Sequence, residues 1–185
     1  GGVKFGTNVD LGYYDQELSK LSKNKTVLAE IWDLHPTMNE KDVRSILGSF
    51  LFTGNDVEKT ISSLSGGEKA RLALCKLALE RNNLLMLDEP TNHLDFDSIE
   101  WLEKRLAQYQ GALLIVTHDR YFLDRVANQI FELDGGQLYS YNGNYEQFLT
   151  QKADRLEREQ QAAHKQQQLY KQELTWMRAG AKART

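Results

Sequence analysis

The chain has 185 residues, 41% of them hydrophobic, and a formal net charge of −3. That is enough for one domain with a buried core and an appendage. The charge argues against indiscriminate binding to polyanions, and no run approaches the 18 apolar residues of a membrane-spanning helix, so no membrane partner is expected. The charge is unevenly spread. Residues 150–185 hold 8 Lys and Arg against 4 Asp and Glu, a net of +4, so an acidic body carries a basic tail suited to an anionic partner. The single cysteine, Cys75, can form no internal disulfide and fits a reducing, cytoplasmic compartment. Gly1-Gly2 followed by a strand-like run suggests a chain that begins mid-domain.

Residues 7–15, TNVDLGYYD, alternate polar and apolar and predict a strand. Val27, Leu28, Ile31, Trp32 and Leu34 share helical spacing. A second helix comes next, with a capping box predicted at Thr37 and Glu40 and with Val43, Ile46, Leu47 and Phe50 on one face. Gly54-Asn55 breaks the pattern, and residues 66–80 form a third helix. The unbroken apolar runs LLMLD (84–88) and ALLIVT (112–117) suit parallel strands buried on both faces. Between them, 97–109 is long enough for a crossover helix, with Asp97 as cap and Gly111 as stop. Residues 129–141 predict a hairpin about Gly135-Gly136. From Asn144 no Pro occurs, and no Gly before Gly180, which predicts one helix of about 35 residues, roughly 50 Å long.

Three stretches carry chemistry. LLMLDEP ends a hydrophobic strand in Asp88-Glu89, two carboxylates at the carboxyl edge of a sheet, where open α/β folds bind ligands. Asp88 can hold a magnesium ion, and Glu89 can polarise a water for in-line attack on a phosphoryl group. His118, at the end of the next apolar strand, can reach the same γ-phosphate, and Gln16 at the end of the first strand could reach the metal and the water. LSGGE (64–68) places Ser65 as the cap of a helix, with Gly66 and Gly67 letting the backbone approach an anion that the helix N-terminus attracts. Taken singly, each stretch reads equally as a turn, a solvated strand end or an edge histidine.

Together they resemble a known family. Gln16 after a strand, LSGGE, LLMLDEP, NHLD (92–95) and THD (117–119) stand in the order of the ABC ATPase cassette, over residues 7 to about 140. The wording TNHLD and HDRYFLD (118–124) resembles the ABC-F branch, whose members are soluble, carry two cassettes in one chain and act on ribosomes. The resemblance implies an α/β fold: a partial cassette with a mostly parallel sheet, a helical subdomain and a long C-terminal helix from the inter-cassette linker. It implies ATP and Mg2+ as cofactors, Gln16 as the Q-loop glutamine serving metal and water, and Ser65, Gly66, Gly67 and Glu68 at a nucleotide held by the opposite cassette. Asp88 would serve magnesium, Glu89 would be the general base, Asp95 the D-loop residue facing across the dimer, and His118 the switch histidine. No glycine in the chain is followed by lysine, so the phosphate-wrapping P-loop of the family is missing. On this reading the chain holds parts of two composite sites, completes neither, and is inactive alone.

In the tail, Leu149, Leu156, Ala163, Tyr170 and Met177 recur every seven residues, while companion positions such as Gln160 and Gln167 are mostly polar. The other faces carry Lys152, Arg155, Arg158, Lys165 and Lys171. GNYEQFL (143–149) and WMRAGAKART (176–185) resemble the inter-cassette linker of ABC-F proteins, a helical hairpin that reaches the ribosome near the tRNA. Trp176 with Arg178, Lys182 and Arg184 would offer stacking and phosphate contacts to rRNA or tRNA. GTNVDLGYYDQEL resembles the Q-loop region of second cassettes, whereas the tail resembles the segment after a first cassette, so both positions stay open. The expected organisation is a core segment with the Q-loop strand (1–25), a helical subdomain (26–80), an α/β core (81–143) and the first linker helix (144–185). Two rivals remain: the nucleotide-binding subunit of a transporter, and a non-catalytic RNA- or ribosome-binding module.

Overall fold

The apolar runs become neighbouring strands. A computed structural model describes residues 2–15 and 21–182, with side chains as far as Met177. It divides into two compact units, residues 1–122 and 123–185. In the first, β1 (Leu11–Tyr14), β2 (Leu84–Asp88) and β3 (Ala112–Val116) form a parallel sheet in the order β1-β2-β3. Leu11 lies opposite Leu84 and Leu84 opposite Ala112, so Tyr14, Leu87 and Ile115 share one face. On that face Tyr14, Leu85 and Leu87 are buried, while on the other Tyr13, Leu114 and Val116 are exposed. The strands are therefore covered on one face and not on both; length and apolarity alone do not report how many layers flank a strand.

The first strand is also shorter than the alternation of 7–15 predicts. Residues 8–10 are held largely by the Asn83 side chain: Asp10 N–H donates to Asn83 Oδ1 (2.9 Å), and Asn83 Nδ2 donates to the Asn8 carbonyl (2.8 Å).

The helical layer consists of α1 (Val27–Trp32), α2 (Glu40–Ser49), two 3-10 turns (Gly54–Glu58 and Ile61–Ser63) and α3 (Gly66–Leu79). Its core is Val27, Ile31, Val43, Leu47, Phe52, Val57, Ile61 and Leu72, each at most 2% exposed. Full burial of side chains of this size contributes about 1.5–3 kcal/mol each. Helix α2 is capped by Asn39, whose Oδ1 accepts from Asp42 N–H (2.9 Å), and not by the predicted Thr37–Glu40 box. Asn39 and Asp42 have the same three-residue spacing two positions on, and an Asn cap serves the free N–H groups as well as Thr. Helix α3 closes on β1 at Gly12, where a Cβ would lie 2.7 Å from Leu77 Cδ1.

Helix α4 (Phe96–Ala107) starts before the expected position because Asp95, and not Asp97, is its cap. Gly111 is not a helix stop either: a Cβ there would lie 2.6 Å from the Asn83 carbonyl, which accepts from Ala112 N–H at 2.9 Å. The glycine lets β3 begin against the start of β2. Trp101 Nε1 donates to the Ser49 carbonyl (2.9 Å), and Phe50 meets Trp101 edge-on at 5.1 Å, tying α4 to the end of α2.

Helix α5 (Arg120–Val126) spans the division between the units. The second unit pairs β4 (Gln129–Asp134) antiparallel with β5 (Gln137–Asn142) about Gly135-Gly136, whose φ angles of 55° and 79° suit the tight primed turn of a hairpin. Helix α6 (Tyr145–Lys182) is 38 residues long. Its first turns are fixed to the hairpin. Phe148 packs edge-on against Tyr141, Lys152 pairs with Glu132, and Arg155 pairs with Glu132 and Asp134 while stacking 3.6 Å from the Tyr139 ring. Lys152 and Arg155 are thus committed within the unit and do not belong to a free basic face. Arg158, Lys165 and Lys171 are exposed further along the helix. No described helix is long and apolar enough to cross a membrane.

Candidate phosphoryl-transfer site

Parallel register brings the end of β2 beside the end of β3. Asp88 is opposite Val116, and the next residue, Glu89, continues the ladder by donating its N–H to the Val116 carbonyl (2.8 Å). Glu89 then leaves the strand with φ of 47°, a left-handed conformation that costs a non-glycine residue of order 1 kcal/mol. The turn aims its carboxylate at the residues beyond β3. Thr117 Oγ1 donates to Glu89 Oε2 (3.1 Å), His118 N–H donates to the same oxygen (3.4 Å), and His118 Nε2 lies 3.5 Å from Glu89 Oε1. The Glu89 side chain is 15% exposed and that of His118 99%. A sheltered carboxylate therefore sits beneath a histidine that is open to an incoming group. Pro90, fully buried, ends the strand.

Asp88 is half-buried at the same sheet edge. Tyr13 of β1 lies on the same face of the sheet, and its phenol's pKa is raised, by desolvation first and by the Asp88 charge second. A single hard carboxylate suits magnesium, which keeps much of its water shell and takes one or two carboxylates together with substrate phosphates. Among the described residues no group of three or more His, Cys, Asp and Glu could enclose a metal. Gln16 lies outside the described residues.

The second element is the N-terminus of α3. Ser65 and Glu68 form a reciprocal capping box: Ser65 Oγ accepts from Glu68 N–H (3.2 Å), and Ser65 N–H donates to Glu68 Oε2 (2.8 Å). Ser65 Oγ accepts in this cap, and a hydroxyl that accepts can still turn its own proton toward an anion. Glu68 is held in place by this box and by Lys59 (3.2 Å). Its carboxyl lies below its usual range because of the Ser65 backbone hydrogen bond first. Its structural task is to set the turn. Ser65, Gly66, Gly67, Glu68, Arg71, His93 and Asp95 line a concavity of about 570 Å³. Asp95 caps α4 through Ser98 N–H (2.9 Å), and Ser98 Oγ accepts from Arg71 (2.8 Å), so Asp95 is anchored to α3.

The structure thus brings Asp88, Glu89 and His118 to one edge, and Ser65, Gly66, Gly67, Glu68 and Asp95 to another. Sequence reasoning missed Thr117, although it directly precedes His118 at the strand end, and it missed Arg71 and Ser98, whose contact joins residues far apart in the chain. Cys75 is buried, and desolvation pushes its thiol up to about 12, so it stays protonated and inert.

Comparison with known proteins gives the family. A family model described as ABC transporter matches residues 6–92, and a second, likewise described as ABC transporter, matches residues 131–185. The chain belongs to the ATP-binding cassette family. Its motif wording is that of the ABC-F branch, and named relatives agree. The putative ATP-binding protein YdiF of Bacillus subtilis is 52% identical over 159 residues, covering 86% of this chain and 25% of its own length. The energy-dependent translational throttle protein EttA of Mycobacterium tuberculosis is 55% identical over 127 residues, covering 69% of this chain and 23% of its own. EttA of Escherichia coli K12 is 41% identical over 170 residues, covering 92% and 30%. The chain therefore spans about a quarter of these relatives. A solved structure of the ATP-binding cassette MJ0796, dimeric and in a post-hydrolysis state bound to ADP and Pi, superposes with a TM-score of 0.57 at 21% identity. It covers 72% of this chain and 63% of that one, and it shares the fold.

Proposed function

We propose that this chain is the acid- and signature-bearing part of an ATPase cassette that works in pairs on the ribosome. The carrying observation is that Glu89 and His118 meet at the ends of adjacent parallel strands while Ser65 stands on a separate, preformed turn. ATP held by another cassette would meet Ser65, Gly66 and Gly67; ATP in this cassette's own site would meet Asp88, Glu89 and His118. Glu89 takes the proton of the attacking water, Thr117 and the His118 amide hold its carboxylate, and the exposed His118 side chain reaches the γ-phosphate. Asp88, with Gln16 as a second donor, would hold magnesium, which would supply positive charge to the phosphates. Water would be excluded when the two cassettes close on the nucleotide.

The ribosomal target is supported by the relatives named as translational throttle proteins and by the exposed basic positions Arg158, Lys165 and Lys171 with Trp176 on α6. This helix would contact rRNA or tRNA. A membrane transporter subunit and a non-catalytic RNA module are the competing readings. One variant separates all three. In the full-length protein, Glu89→Gln should lower ATP turnover by roughly 10²–10⁴-fold, the range of general-base catalysis, and should accumulate on ribosomes in ATP-dependent co-sedimentation. Turnover at the wild-type rate sinks the base assignment; fractionation with membranes favours the transporter.

The isolated 185-residue chain should neither turn over Mg-ATP nor bind it tightly. Micromolar affinity in calorimetric titration would overturn the two-cassette requirement.

A further inference from the structure

The glycines before α3 have a neighbour within their own chain. A Cβ on Gly66 would lie 3.3 Å from the Cβ of His93 and 3.5 Å from its Cγ. A Cβ on Gly67 would lie 2.8 Å from the His93 carbonyl oxygen, a backbone atom that cannot swing aside. His93 is exposed, and its φ of 68° lies in the left-handed region that a non-glycine residue seldom adopts. On either side the chain is folded tightly: Asn92 N–H donates to the Glu89 carbonyl and Leu94 N–H to that of Thr91, both at 3.1 Å. A second link runs in parallel, from Arg71 on α3 through Ser98 to Asp95. The segment from Glu89 to Asp95 is thus a short stiff connector. One end carries the carboxylate beside Thr117, the other caps α4, and the middle rests on Gly66 and Gly67.

We propose that His93 is a positioning residue: seated on Gly66 and Gly67, it couples the phosphate-facing turn at Ser65 to the Glu89–Asp95 connector, so that triphosphate engaging Ser65 in one composite site sets the placement of Glu89 in the other. This rests on the roles given to Ser65 and Glu89 above. It assigns Gly66 a task besides admitting phosphate, namely room for a side chain of its own chain. Strain at His93 is maintained because the packed surroundings over-determine it.

A double-mutant cycle on ATP hydrolysis by the full-length protein tests the seat. Gly66→Ala should lower kcat about tenfold, with the melting temperature kept. His93→Gly, which removes the side chain but favours the same φ, should cost about threefold. The double variant should stay near that same loss, because the new methyl no longer meets an imidazole. Additive losses of roughly thirtyfold, or Gly66→Ala at wild-type rate, overturn the proposal. Glu89→Gln run alongside separates the failures: if it stays active, the site reading is wrong, whereas an inactive Glu89→Gln beside an additive cycle removes only the coupling. Should Gly66→Ala fail to fold, amide exchange gives the answer. Adding a slowly hydrolysed ATP analogue should protect residues 91–95 in the wild type and much less in His93→Gly; equal protection overturns the coupling.

Discussion

The two candidate edges are built in opposite ways. The turn at Ser65 is made by neighbours in sequence: Ser65 and Glu68 satisfy each other's backbone groups across three residues, and the helix they start supplies the positive end of its dipole. The Glu89 edge is made by residues 28 and 29 positions apart in the chain, joined by a sheet register and one unfavourable backbone angle. A locally built surface is ready before any partner arrives. A register-built one depends on the strands beneath it, and here those strands are covered on one face only. The turn should therefore survive perturbations that disable the acid edge.

The sharpest way to break this contrast is Thr117→Val in the full-length protein. It removes the hydroxyl that donates to Glu89 and keeps the shape. A hydrogen bond to a charged group contributes about 1.5–3 kcal/mol, so kcat should fall roughly tenfold to a hundredfold while Thr117→Ser restores most of it. A wild-type rate in the valine variant would show that register alone positions the base. Ser65→Ala should act on the other half in two separable ways. Loss of the cap costs about 1 kcal/mol, read as a melting temperature lower by roughly 2–4 °C for a chain of this size, and hydrolysis should fall only where two cassettes are present.

The smallest effect is acid sensitivity. Glu68 is held below its ordinary 4.5 by the Ser65 amide and Lys59, and Asp95 below its ordinary 3.8 by Ser98. Depressed carboxyls contribute stability that is complete above those ordinary values and is lost as pH falls through the lower folded ones. Both caps should therefore hold at about pH 5 and weaken as pH falls below the ordinary carboxyl values, visible as lost amide protection at the starts of α3 and α4. Glu68→Gln should flatten the α3 part of that profile, and an unchanged profile would show that the box does not set it.

The second unit offers the complementary comparison within one helix. Up to Arg155, α6 is fastened to the hairpin by Glu132, Asp134 and Tyr139; beyond it, Leu156, Leu169, Tyr170 and Met177 are exposed. Sequence spacing alone puts Lys152 and Arg155 on a basic face, because charge on a helix says nothing about carboxylates on a strand some twenty residues earlier.

What the sequence by itself determined is what period, cap chemistry and short motifs encode: the α3 turn, the hairpin at Gly135-Gly136, the apolar strands that lead into Asp88 and His118, the length of α6, and the family those motifs resemble. Each is a property of residues close together along the chain. What only the tertiary structure decided was which distant groups meet: Thr117 on Glu89, Arg71 on Ser98, His93 on the signature glycines, and the single covered face of the sheet. These depend on strand register and on close backbone approach, and neither leaves a local pattern. Asp95 shows the boundary between the two: its place in NHLD was legible, but its task as the cap of α4, anchored to α3, emerged only when Ser98 and Arg71 were brought beside it.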